Sequence, residues 1–463
     1  MNDQLNLKQV FLFTLFLCLI GGELLGNVNL PAYFSDHMVL QQKSEVRIWG
    51  WAKPREKVEV KVSWSDAVLS TEADNQAHWE VWVETPAAGG PYDISIKGYN
   101  EINIRDVWMG EVWLCSGQSN MEWPMSGGVI GAEAAIAKAD HPRIRMFTVA
   151  HRTALAPQID LEGAWEVCTP ETVGHFSAVA YFFAQKLQKE LGVPVGLIHS
   201  SWGGTPAETW ISEEVIAGDK KLTTAATILE PVPWGPVEPA RAYNAMIAPL
   251  RSYKIAGVLW YQGEANTVNA EYYTDMFGTL INSWRADWGY DFPFYYVQIA
   301  PYRYGKGNRG TMVRDAQRRV ISIPNTGMVV TSDIGDTTDI HPRNKLDVGV
   351  RLANLALSEH YDVMDAATSG PLFKSMEIDG KKIVVSFDNA EGLHARDGAL
   401  QLFEIAGRDW KFYPAKAFIK KGKVVVLSKK VGHPVAVRFA WGNTATPNLF
   451  NSAGLPASSF ISE

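Results

Sequence analysis

Five apolar runs of continuous rather than alternating character, at residues 110–115, 195–199, 255–261, 294–300 and 327–331, constrain the fold of this chain more than any other feature. A strand that is apolar at every position is buried on both faces, which happens in a parallel sheet covered by helices on either side. Helical periodicity fills the intervals, at 177–191, 240–250, 271–288, 311–322 and 343–361. The alternation predicts an α/β fold over residues 107–364, an α/β/α sandwich around a parallel central sheet. On either side the texture changes to period-two alternation, at 46–51, 58–63, 79–83 and 92–96, and again at 382–387, 400–405, 423–427 and 435–439. Such segments are half-buried strands. They predict an N-terminal sandwich-like accessory region over 27–106 and a C-terminal β-rich region over 365–463, which either joins the first or stands alone. A chain of 463 residues is also too long for one compact core.

Residues 10–22, after Lys8, form an apolar run too short to span a membrane and of the right length for a signal-peptide core. The reading is a signal peptide over 1–26, cut near Gly22 or Gly26. It implies export to the periplasm or the extracellular space, with no membrane attachment afterwards. Bulky Leu17 before Cys18 argues against a lipid anchor. Removal of the signal leaves Cys115 and Cys168, too few for a disulfide scaffold, and no Cys/His spacing suggests a metal. No cofactor or metal is expected. The net charge of −7, without a basic patch, argues against a nucleic-acid partner. Nothing in the pattern specifies an oligomeric state.

Ligands of open parallel sheets bind outside the carboxyl ends of the strands, so the residues that follow each run carry the chemistry. The first run ends abruptly in Gly117-Gln118-Ser119-Asn120-Met121, where a rigidly held Ser119 would present a nucleophilic hydroxyl and its backbone N–H. The plainer reading is a strand followed by a turn. The second exits into Ser200-Ser201-Trp202-Gly203-Gly204-Thr205, whose glycines let backbone approach a ligand. The third exits into Gln262-Gly263-Glu264-Ala265-Asn266. The amide of Gln262 offers a donor for an oxyanion, Asn266 comes next, and an ionised Glu264 can only accept, which suits an orienting role. The fifth leads to Asp333, Asp336, Asp339 and His341 before Pro342. Two-residue spacing would let Asp339 hold the His341 imidazole while Nε2 faces a hydroxyl.

Four of these segments together resemble the sialate O-acetylesterase family of SGNH-type (GDSL-like) hydrolases: Gly117–Met121, His199–Thr205, Trp260–Asn266 and Asp339–Pro342. Supporting matches lie at 176–183, 312–317, 439–443 and 454–458, and the resemblance runs from about Leu30 to the C-terminus. It implies removal of O-acetyl groups from a carbohydrate, with Ser119 as nucleophile and His341 as base. It also implies an oxyanion hole of the N–H groups of Ser119 and Gly203 or Gly204 with the Gln262 loop. Many SGNH enzymes carry the acid three residues before the histidine, a position held here by Thr338. Asp339 is therefore the expected acid, with Asp336, Asp333 or a Ser/His dyad left open.

Gln118 and Asn120 are expected to orient the nucleophile. Trp123, Trp202, Trp210 and Trp260 are candidate platforms for a sugar ring, and Arg303 a candidate partner for a sialic carboxylate. Seventeen Trp also suit core packing. The substrate reading is acetylated sialic acid, with acetylated xylan or another glycan as the alternative. A non-catalytic carbohydrate-binding protein is the rival of another class.

Overall fold

The computed structural model describes residues 27–462. The expected signal peptide lies outside them. Seven strands form the central sheet: β1 (Glu101–Gly117), β2 (His141–Thr148), β3 (Trp165–Cys168), β4 (Val195–Ser201), β5 (Gly257–Tyr261), β6 (Phe294–Val297) and β7 (Thr326–Val329). Their order is β7-β6-β5-β1-β4-β2-β3. All neighbours run parallel except β2 and β3, which are antiparallel. The expected α/β/α architecture is present, with β2 and β3 as additional strands.

Alternate side chains of each continuous apolar run enter different cores. Val112, Leu114, Val258 and Trp260 join one, and Trp113, Cys115, Leu259 and Tyr261 the other. Four helices cover the two faces: α2 (Ala178–Leu191), α3 (Tyr273–Trp288), α4 (Arg309–Val320) and α5 (Lys345–Glu359), numbered after the one-turn α1 (Ser119–Glu122). Phe277, Trp284 and Val313 of α3 and α4 pack on the first face; Val179, Phe183, Leu352 and Ala356 of α2 and α5 pack on the second. Residues 240–250, predicted helical, instead form a π turn at Tyr243–Ile247 and a 3-10 turn at Ala248–Ser252. Pro249 has no N–H for a regular α-helical ladder there.

β1 has a double life. Its first half pairs antiparallel with Gly89–Lys97 of the N-terminal sandwich, and from Glu111 onward it pairs parallel with β4. Burial alternates in the first half and is continuous from Met109 to Gly117. The turning point is Asp106, in a left-handed conformation with φ 56°, whose carboxylate accepts from the buried Arg145 at 2.5 Å and from the Trp108 indole at 2.8 Å.

The C-terminal residues have their own core, built around Ile383, Phe403, Val424, Val437 and Phe460. They dock on α4 through Arg314, whose buried guanidinium donates to the carbonyls of Gly442 at 2.6 Å and Asn443 at 3.2 Å. Among the described residues no helix is long and apolar enough to cross a membrane.

Candidate active site

The strand order places β4 and β5 on opposite sides of β1, so the carboxyl end of β1 is the switch point of the sheet. Ser119 lies there, as the first residue of α1. The exit is sharp because Gly117 adopts φ 136°, and a Cβ on it would lie 2.3 Å from the carbonyl oxygen of Tyr261. Two backbone bonds knot the neighbouring exits together: Gln118 N–H to Tyr261 O at 3.0 Å and Trp202 N–H to Gly117 O at 3.1 Å. The Gln118 side chain accepts from Gly263 N–H and Ala265 N–H, both at 3.2 Å, which makes it a brace for the β5 loop.

His341 Nε2 stands 2.9 Å from Ser119 Oγ, although 222 residues separate them. Trp123 packs flat on the imidazole, 4.4 Å between centroids and 23° between planes. It thus positions the base instead of offering both faces to a sugar. Burial, followed by the Lys345 ammonium, holds the His341 pKa below 6.5, and Asp339 acts in the opposite direction. Asp339 Oδ1 accepts the backbone N–H of His341 at 2.9 Å and stands 3.9 Å from Nδ1. That is ion-pair distance, beyond a hydrogen bond. Of the alternatives, Asp336 is exposed and bonded to Thr338, and Asp333 is forked onto Arg351 at 2.7 and 2.8 Å.

Asn120 is buried beneath the pair. It donates to Glu264 Oε1 at 2.7 Å and Ile340 O at 3.0 Å, and accepts from Lys345 Nζ. It therefore ties the nucleophile's helix to the histidine loop. Burial pushes the Lys345 pKa down to about 7 and raises that of Glu264. Glu264 Oε2 has no partner among the described residues.

Several expected roles do not survive the geometry. Gln262 is fully buried, donates to Thr205 O at 3.2 Å and Asn266 Oδ1 at 2.7 Å, and accepts from the Tyr273 hydroxyl at 2.8 Å. Its amide is saturated and does not line the cleft, so it is no oxyanion donor. Asn266 is equally enclosed, donating to Glu208 at 2.8 Å and Asn269 at 3.1 Å. It is a structural residue. Trp210 and Trp260 are core side chains without exposed surface. Arg303 is exposed outside the cleft and is removed as a substrate contact.

The oxyanion side is also sharpened. Gly203 N–H donates to Glu122 Oε2 at 2.5 Å, whereas the N–H groups of Ser119 and Gly204 meet no acceptor among the described residues. Glu122 Oε1 in turn lies 3.1 Å from His151 Nε2, and the His151 ring stacks on Trp202 at 4.3 Å. Glu122, His151 and Lys345 escaped the sequence reading. Glu122 lies three residues beyond Ser119, and His151 follows β2, a strand that the apolar runs did not disclose. The resulting cleft is about 610 Å³ and is bounded by Ser119, Glu122, Trp202, Trp234, Glu264 and His341, among others.

Comparison with known proteins places the chain in a family. A family model described as "Carbohydrate esterase, sialic acid-specific acetylesterase" matches residues 109–358. The chain is 28% identical to a sialate O-acetylesterase of Mus musculus, over 93% of this chain and 94% of that one. It is 28% identical to the Homo sapiens protein of the same name, over 93% and 91%. A crystal structure of a carbohydrate acetylesterase from Xanthomonas citri is similar with a TM-score of 0.86 and 38% identity, covering 94% of this chain and 99% of the other. The matched residues span β1 to α5 and hold both Ser119 and His341, and this chain is an esterase belonging to the carbohydrate esterase family of sialic acid-specific acetylesterases.

Proposed function

We propose that this protein removes O-acetyl groups from a carbohydrate through an acyl-enzyme on Ser119. The observation that carries the reading is the 2.9 Å contact of His341 Nε2 with Ser119 Oγ at the switch point of the sheet. Ser119 Oγ attacks the acetyl carbonyl as its proton passes to His341 Nε2. The N–H groups of Ser119 and Gly204 receive the oxyanion. Collapse breaks the ester, and His341 returns the proton to the departing sugar oxygen. The same imidazole then deprotonates a water that attacks the acyl carbon, releasing acetate and restoring Ser119. Asp339 supplies a negative charge beside the imidazolium. The apolar run at residues 10–22 supports export, which puts the enzyme where glycans are found.

Acetylated sialic acid is the substrate that the relatives' names support. One observation favours a second reading, a neutral acetylated glycan such as acetylated xylan. The charged residues lining the cleft are Glu122 and Glu264 beside two histidines, with no Lys or Arg among the described lining to meet a sialic carboxylate. An acetate-release screen over acetylated sialic acids, xylo-oligosaccharides and other acetylated glycans decides between them. In that screen Ser119→Ala should abolish release with an unchanged thermal transition. Substantial residual turnover would remove Ser119 as nucleophile, and a protein inert to serine-directed organophosphates would favour a non-catalytic binder.

A further inference from the structure

Trp234 is the most conspicuous side chain at the rim of the cleft. It is 61% exposed, although its backbone is firmly held: Trp202 Nε1–H donates to Trp234 O at 2.8 Å, and a bridge joins Val232 to Gly235. Its indole lies directly on Gly204, where an added Cβ would come within 2.3 Å of Trp234 Nε1. Gly204, at φ 75°, is thus pressed between the site of the oxyanion and the indole. The indole N–H has no acceptor among the described residues. A large apolar side chain held in water by an anchored loop, with an unused donor, is the form of a ligand platform.

Beyond Trp234 the cleft continues into a second compartment of about 590 Å³. The two share Gly204, Trp234, Glu264 and Ala265. The far compartment is lined by Ile228, Leu229, Val232, Val237 and Val268, of which Ile228 and Val268 are 38% and 48% exposed. Each compartment falls within the ~300–1,000 Å³ range of small-molecule sites. A sugar ring has apolar C–H faces and polar edges. It can therefore lie on an indole and an aliphatic wall while one hydroxyl accepts from an indole N–H.

We propose that the compartment beyond Trp234 is a subsite for the sugar residue next to the acetylated one, with that residue's ring resting on the Trp234 indole. The substrate is then a glycan chain in preference to a free monosaccharide. This rests on the carbohydrate-esterase reading of Ser119 and His341.

The test compares kcat/KM for acetate release from an O-acetylated trisaccharide, the methyl glycoside of the same acetylated sugar, and its octyl glycoside. The unsubstituted enzyme should prefer the trisaccharide to the methyl glycoside by about tenfold, the scale of one apolar contact in a pocket. Trp234→Ala should bring that ratio close to one, and Trp234→Phe should retain part of it. Binding of the trisaccharide to the Ser119→Ala protein should weaken to a similar extent when Trp234→Ala is added. No preference in the unsubstituted enzyme, or a preference indifferent to Trp234→Ala, overturns the subsite. So does an octyl glycoside that gains as much as the trisaccharide, because the compartment then takes any apolar aglycone. If the unsubstituted enzyme releases acetate from none of the three, the esterase reading itself has failed.

Discussion

Gln262, Asn266, Asn269 and Glu208 make up one polar cluster at the carboxyl end of the central sheet, and Ser119, Glu122, Glu264 and His341 make up another beside it. In the first, each side chain has a partner inside the protein. Asn269, for example, donates to Glu208 at 2.7 Å and to Ala225 O at 3.1 Å. In the second, capacity is left unused: the Ser119 N–H, the His341 Nδ1 and one Glu264 oxygen lack a hydrogen-bond partner among the described residues. Polar residues in strand-exit loops thus divide by whether their hydrogen-bonding capacity is already used. A saturated cluster fixes the loop, and an unsaturated one is left for a substrate.

The sharpest way to break this comparison is to remove one member from each cluster. Ser119→Ala should lower kcat by on the order of 10,000-fold or more, and leave unfolding stability within about 0.5 kcal/mol. Asn266→Ala should do the reverse. It strands the buried Glu208 and Gln262 and should cost about 2–4 kcal/mol in denaturant unfolding, with the remaining folded fraction still reacting with an organophosphate. Comparable stability losses in the two variants would dissolve the distinction. A smaller effect is expected at Asp339. Because no hydrogen bond joins it to Nδ1, Asp339→Asn should cost about tenfold in kcat/KM, roughly 1.4 kcal/mol of barrier. A loss near the ~10,000-fold of a hydrogen-bonded triad acid would restore the full triad, and no loss would leave a dyad.

The smallest effect concerns pH. The base must be neutral, so kcat/KM is full above the His341 pKa and falls as pH drops through it. Since that pKa is depressed, the acid limb should lie below pH 6.5. Lys345→Met removes one of the two depressing influences and should move the limb upward by less than about one unit. A limb that stays in place would show that burial alone sets it.

Ser119 and His341 were legible because an apolar run that stops dead in polar residues marks a strand exit whatever the tertiary detail. The role of Gln262 was not, because its neutralising partners come from Thr205, Asn266 and Tyr273, and no local pattern reveals that they converge. β2 escaped because Arg145 interrupts its apolar stretch. That arginine is buried all the same, held by Asp106 and the carbonyl of Pro142. Without a recognisable β2, no pattern marks His151 as a strand-exit residue. Trp234 lies in a loop without periodicity, and only its exposure singles it out.

The long first strand carries a consequence for how the molecule could be divided. At about 3.3 Å per residue, the 17 residues of β1 span at most roughly 56 Å, the near end clamped in the N-terminal sandwich and the far end delivering the nucleophile. There is no seam between the two. Excising the first hundred residues would not trim an appendage but would strip one half of the strand of its lateral supports. The accessory sandwich is therefore the foundation from which Ser119 is cantilevered, and its integrity belongs to the tolerance with which the hydroxyl is aimed.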